Sequence, residues 1–168
     1  LEDNGAHALG AYDPQDLSVE YKEGIYVGYR WAEKQNIKPL FAFGHGLSYT
    51  DFTYGEAKRS KPSVKAGPNV KVSIDVTNSG KVAGKEVVQL YIGDEESSLE
   101  RPVKELKGFR KISLEPGETK TVTFEIKPDM LKFFDDAKHE WVLEPGRFTA
   151  YVGSASDDIR SEISFDVK

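Results

Sequence analysis

Residues 69–168 predict an all-β fold, a two-sheet sandwich of about seven strands, and an irregular stretch of chain precedes it. Two observations carry that reading. Apolar and polar residues alternate with period two in short runs, and clusters of turn residues interrupt those runs at intervals of roughly ten. A helical alternative fails because no window here keeps a period of about 3.6 and β-branched residues are frequent.

The strands follow in order. Val70, Val72, Ile74 and Val76 alternate with Lys71, Ser73, Asp75 and Thr77, so one side faces a core and the other faces water. Asn78-Ser79-Gly80 turns the chain. In the second strand, residues 86–92, Val88, Leu90 and Ile92 share one side while Val87, Gln89 and Tyr91 share the other. Apolar residues on both sides predict a central strand. Leu106–Phe109 and Ile112–Leu114 make the third strand, and Glu115-Pro116-Gly117-Glu118 is a strong turn, because Pro presets φ and Gly accepts a positive one. The fourth strand, residues 119–126, points Val122, Phe124 and Ile126 inward. Pro128 then starts one turn of helix leading to Phe133 and Phe134. A fifth strand spans residues 140–144, a sixth residues 147–152 and a seventh carries Ile163, Phe165 and Val167. The pattern fits an immunoglobulin-like or fibronectin-type sandwich, with a jelly roll as the alternative. Trp141 lacks the flanking cysteines of antibody domains and reads as a core or core-edge aromatic.

The first 61 residues differ. They hold six of the eight tyrosines, with Trp31, Phe41, Phe43 and Phe52, yet show little periodicity. Residues 20–27 are expected as a short strand, 28–35 as a short helix and 39–46 as loop. Aromatic density with too little secondary structure to form a layer predicts a surface that covers something else. The chain therefore divides into a tail over 1–55, a linker over 56–68 and the sandwich over 69–168.

Composition narrows the partners. The net charge of -5 is spread along the chain, so no basic stripe awaits phosphates, and the short basic clusters at Lys58-Arg59-Ser60-Lys61 and Arg110-Lys111 read as linker and solvated strand end. Neither nucleic acid nor a membrane is expected. Cysteine is absent, which removes disulfides and thiolate chemistry. No leader or long apolar run occurs in the residues given; the compartment stays open, with cytoplasm favoured over secretion or a periplasm unless a leader lies elsewhere.

Two stretches then carry a resemblance. Tyr21-Lys22-Glu23-Gly24-Ile25-Tyr26-Val27-Gly28-Tyr29-Arg30 and Pro39-Leu40-Phe41-Ala42-Phe43-Gly44-His45-Gly46-Leu47-Ser48-Tyr49-Thr50 resemble the C-terminal end of glycoside hydrolase family 3 enzymes. Asn78-Ser79-Gly80-Lys81, Gly84-Lys85-Glu86-Val87-Val88-Gln89-Leu90-Tyr91, Arg101-Pro102-Val103-Lys104-Glu105-Leu106-Lys107-Gly108-Phe109 and Leu114-Glu115-Pro116-Gly117-Glu118 are similar to the fibronectin type III-like domain of such enzymes. One departure is Ala42, where related sequences often carry proline. The resemblance implies a β-glucosidase-like parent acting on terminal non-reducing β-D-glycosyl residues, with a β/α barrel, an α/β sandwich domain and this terminal module. It implies that the nucleophilic aspartate and the acid/base glutamate lie on the first two domains, with residues 1–55 as the last piece of the second. The partners implied are those two domains and, through them, a β-glucoside or oligosaccharide substrate; a homo-oligomer stays open.

No catalytic residue is assigned within the chain, and no cofactor or metal. Retaining hydrolysis needs two carboxylates about 5–5.5 Å apart, and no pair here is placed by sequence on facing walls. Glu20 and Glu23 are nearest to aromatic residues, but a structural or solvated role outweighs catalysis. Tyr26, Tyr29, Arg30 and Trp31 are candidates for a sugar pocket or, with more weight, a domain interface. His45, between two glycines, is expected to fix its loop; with only His7 and His139 elsewhere it offers no zinc spacing. The leading expectation is a non-catalytic module that stabilises its enzyme or helps domains and subunits assemble, and on its own the chain is expected to be inactive. A carbohydrate-binding module using Trp141, Phe133 and Phe134 is the alternative, and a generic structural or adhesive domain comes third.

Overall fold

In the computed structural model the protein is described at residues 15–19, 21, 23–64 and 69–168. The expectations at His7 and Glu20 fall outside those residues. Among the described residues eleven strands and one α-helix follow one another: α1 (Tyr29–Lys34), β1 (Phe52–Tyr54), β2 (Lys58–Arg59), β3 (Ser63–Val64), β4 (Val70–Asn78), β5 (Gly84–Asp94), β6 (Glu105–Leu114), β7 (Thr119–Ile126), β8 (Phe133–Asp135), β9 (Glu140–Val142), β10 (Gly146–Ala155) and β11 (Asp158–Val167).

Two sheets face each other. In one, β4 pairs antiparallel with β7 along its length and, on its other edge, with β1 and β2 in succession. In the other the order is β3-β11-β10-β5-β6, antiparallel except where β3 runs beside β11. Strand β5 is interior, as its two apolar sides require. Val72, Ile74, Val122 and Phe124 from the first sheet meet Val88, Leu90 and Val152 from the second to form one dry core. Phe148 and Phe165, cross-strand partners on β10 and β11, stack with ring centroids 5.9 Å apart.

Two expectations need correction. Residues 20–27 do not read as a strand where they are described: Gly24 sits at φ 58 and its N–H bonds Tyr21 O at 3.2 Å, closing a turn over 23–25. Apolar alternation at Ile25 and Val27 mimics a strand, but the left-handed glycine reverses the chain first. The fifth strand also forms elsewhere than expected. Residues 140–142 pair with 133–135 as a separate two-stranded hairpin, Phe134 opposite Trp141, and neither strand joins the two main sheets. The intervening run, residues 136–139, is short enough to close locally before either strand reaches a sheet. Pro128–Met130 is a single 3-10 turn, in keeping with proline at the start of a helical turn.

Candidate functional site

The two outer faces of the sandwich are unlike. On β4 and β7 every outward position is polar, as with Lys71, Asp75, Thr121, Thr123 and Glu125, and these are exposed. On β5 the outward Gln89 and Tyr91 are buried, because residues 29–45 lie across them. The candidate site is this seam between tail and sandwich.

Helix α1 makes the first part of it. Its N-cap is Gly28 at φ 63, a conformation glycine adopts without strain, and the chain turns there onto the sheet. Tyr29 places its ring edge-on to Tyr91, centroids 5.7 Å apart, and its hydroxyl accepts the Leu106 N–H at 2.9 Å. Arg30 meets Glu105 at 3.1 Å, Glu33 pairs with Lys104, and Lys34 pairs with Glu100 while lying over the Tyr26 ring. Tyr26 donates its hydroxyl to Arg101 O at 3.3 Å.

Arg101 and Glu105 form the centre of this network. Arg101 is nearly buried and donates to Asp94 at 2.9 Å, to Glu105 at 2.8 Å and to Leu131 O at 3.1 Å, with its guanidinium over the Phe133 ring. Glu105 thus faces Arg30, Arg101 and Lys107. Burial alone would raise its pKa, but the Arg101 hydrogen bond and the surrounding cations outweigh it and hold the carboxyl below its ordinary range. Burial pushes Lys107 down despite Glu105 beside it.

The loop around His45 makes the second part. Phe43 O accepts the Ser156 N–H at 2.9 Å, and the Phe43 ring lies 5.7 Å from that of Tyr29. Gly44, at φ 91, passes so close to Gln89 that a Cβ there would collide with its amide. Gln89 in turn donates to Ser154 O at 2.6 Å and accepts from the Tyr91 hydroxyl. The His45 N–H closes a turn on Ala42 O at 2.9 Å and its ring rests 5.3 Å from Phe41.

The tail then crosses to the other sheet at Asn78. This buried side chain accepts from Thr50 Oγ1 at 2.6 Å and from the Gly80 N–H at 3.1 Å, and donates to Val82 O at 2.8 Å and Leu114 O at 3.0 Å. Tyr54 finishes the seam by donating to Glu86 at 2.7 Å. Burial is the main reason that both Tyr54 and Glu86 are pushed up.

Of the four tail candidates, Tyr26, Tyr29 and Arg30 each bond the sandwich, and Trp31 is half-buried. Tyr26 and Trp31 also line an open cleft of about 360 Å³ with Glu23, Lys34, Gln35 and Glu100. Sequence reasoning singled out neither Arg101, Lys104 and Glu105, which it met only inside the Arg101–Phe109 stretch that carries the resemblance, nor Asn78, which reads as a turn residue. Gln89 did leave a signal, a lone amide inside an apolar strand. Among the described residues no three His, Asp or Glu side chains are grouped to hold a metal.

Residues 86–156 match the family described as fibronectin type III-like domain. The whole chain aligns further. It is 51% identical over 168 residues to β-glucosidase BoGH3A of Bacteroides ovatus, covering 99% of this chain and 22% of that protein. The chain thus aligns to a fibronectin type III-like domain and to part of the length of a glycoside hydrolase family 3 β-glucosidase. It is also 48% identical over 145 residues to thermostable β-glucosidase B of Acetivibrio thermocellus, covering 86% of this chain and 19% of that one. Among solved structures it superposes on the β-glucosidase of Kluyveromyces marxianus in complex with glucose with a TM-score of 0.81 at 45% identity, covering 89% of the module and 18% of the enzyme. The module thus spans about a fifth of the length of these curated relatives.

Proposed function

We propose that the chain is the non-catalytic module of a β-glycosidase, with β-glucosidase the leading assignment, that removes terminal non-reducing β-D-glycosyl residues, and that the sandwich stabilises that enzyme by clamping the strip of chain next to its catalytic domains. The observation that carries the reading is the covered outer face of β5: Tyr91, on the side of the sheet away from the core, has no exposed surface because the tail lies on it. A strip so held is fixed in place relative to the sandwich, and whatever the strip continues into inherits that constraint. The names of the relatives support the activity of the parent. Tyr26, Tyr29, Arg30 and Trp31 serve here as interface rather than sugar pocket, and His45 fixes the loop that lies on Gln89.

Alone, the chain is inactive in this reading. A glycosidic bond needs an acid at the leaving oxygen and a nucleophile at the anomeric carbon, held about 5–5.5 Å apart, and the resemblance places both on other domains. The test has two arms. Purified chain assayed on p-nitrophenyl β-glucoside and β-xyloside is expected to show no turnover, and turnover proportional to chain concentration sinks the non-catalytic assignment. In the full-length enzyme, Tyr29→Ala combined with Arg30→Ala is expected to lower the melting temperature and leave kcat unchanged; an unchanged melting temperature removes the clamp.

A further inference from the structure

Strand β5 carries a carboxylate on its dry side. Glu86 falls on the same side of the strand as Val88, Leu90 and Ile92, which belong to the core, and its cross-strand partner on β6, Ile112, packs against that core without bringing a charge. The side chain that meets Glu86 comes from the opposite sheet. Tyr54, the last residue of β1, packs its ring against the core and bonds Glu86 Oε1 through its hydroxyl, so one side-chain bond ties β1 to β5 across the sandwich.

The charges near this bond come from β11. Arg160 stands 5.8 Å from the centre of the Tyr54 ring and gives its guanidinium to Asp158, at 2.6 Å and 2.7 Å, while Ser154 on β10 holds the same aspartate at 2.5 Å. Arg160 is thus largely matched before it can act on Glu86. The bond also stands where the tail enters the sandwich. Strand β1 is paired with β4 at three residues only, followed by the Gly55 N–H on Asp75 O at 2.9 Å and the Ala57 N–H on Ser161 Oγ at 2.8 Å. So short a ladder opens readily, and Tyr54 gives it a second attachment on the other sheet.

We propose that Tyr54 and Glu86 form a proton-operated latch between the two sheets, firmest when the Glu86 carboxyl is neutral and slackened when it is ionised. The latch concerns this chain alone and is independent of what the parent enzyme does. Its sign follows from burial, which raises Glu86 against the opposing pull of the Tyr54 bond and of Arg160, with Asp158 adding to the rise. A carboxyl that holds its proton more tightly in the closed form gives that form its full stability below the ordinary glutamate value. That stability is lost as pH rises through the raised value. Burial pushes the Tyr54 hydroxyl up as well, so it remains a donor throughout and Glu86 is the member of the pair that switches. Opening lets water reach the carboxylate and frees β1. The neighbouring attachment, Thr50 on Asn78, has no titrating group and holds in either state.

The experiment follows two signals in the 168-residue chain: the carbon-13 shift of the Glu86 carboxyl against pH, and amide exchange at residues 52–55 corrected for its intrinsic pH dependence. Glu86 is expected to titrate above the ordinary glutamate value of about 4.3. Protection at 52–55 is expected to fall at least about threefold between pH about 5 and pH about 8 along the same curve, with β7 unchanged. Glu86→Gln holds protection at one level at both pH values. Tyr54→Phe, which keeps the ring, moves the Glu86 titration further up and lowers protection at 52–55. An ordinary titration of Glu86 in the wild type overturns the latch, as does protection that stays constant with pH. A fall of the same size in Glu86→Gln also overturns it and assigns the pH dependence to another group, and an equal fall in β7 replaces the latch with opening of the whole sandwich.

Discussion

The outer face of β4 and β7 and the outer face of β5 belong to the same sandwich and obey opposite rules. The first alternates cleanly because water is its only neighbour, and its side chains are lysine, threonine and acidic residues. The second is buried in an almost unbroken run from Val88 to Gly93 because it serves two layers, the core beneath and the tail above. What a strand's second face carries therefore reports whether something lies on it, and on β5 that covering belongs to the same chain.

The sharpest way to break this comparison is Tyr91→Ala. If the outer face of β5 behaves as interior, the change costs about 3–5 kcal/mol, as for other large-to-small aromatic substitutions, read by urea unfolding. The same change made after deletion of residues 1–50 is expected to cost far less, because the covering layer is gone. An equal cost in both backgrounds contradicts the layered reading.

Asn78→Ala comes next. It leaves Thr50, Gly80, Val82 and Leu114 each without a partner at the point where the tail passes between sheets, and is expected to cost about 2–3 kcal/mol. Thermal unfolding checks it, with the serine at position 79 as a control: Ser79→Ala, whose hydroxyl bond is exposed, is expected to leave the curve nearly unchanged. Gly44→Ala should cost about 1–3 kcal/mol, since it adds both a positive-φ penalty and a collision with Gln89; amide exchange should accelerate in residues 41–45 and leave β7 as before.

Most of the sandwich was legible because alternation is a direct record of one dry and one wet side. The turns at 78–80 and 115–118 and the interior position of β5 could be read in the same way. Strands β1, β2 and β3 could not, since two or three residues carry no period; Lys58 and Arg59 look like linker, and only the Lys58↔Ser73 and Arg59↔Val72 pairings make them strand. The seam was half legible. Tyr26, Tyr29 and Arg30 stood out as aromatic and charged residues without a layer of their own. Their partners Arg101 and Glu105 stay silent in sequence, because hydrogen bonds and ion pairs between segments 70 or more residues apart leave no local pattern.

Two carboxylates sharpen the comparison by pH. Glu105, held low by its Arg101 hydrogen bond and the surrounding cations, contributes stability that is complete above the ordinary glutamate value of about 4.3 and is lost below it, as pH falls through the lowered folded value. Glu86, raised by burial, works with the opposite sign: it binds its proton more tightly when folded, so its ionisation costs stability as pH rises past that range. At pH about 8, Glu105→Gln is expected to lower the melting temperature and Glu86→Gln to raise it. Shifts of the same sign would show that one of the two environments is misread. The smallest effect belongs to the solvated face, where Thr123→Ala should stay within about 0.5 kcal/mol by urea unfolding.

The order of the chain gives the seam a history. Tyr29 precedes Leu106, whose N–H its hydroxyl accepts, by 77 residues. A ribosome adding about 5–20 residues per second leaves that tyrosine waiting about 4–15 s for its cover, and the exit tunnel lengthens the wait. During that interval Tyr26, Tyr29, Trp31 and Phe43 are a nascent aromatic strip with no sheet to rest on, a natural stretch for a chaperone to hold.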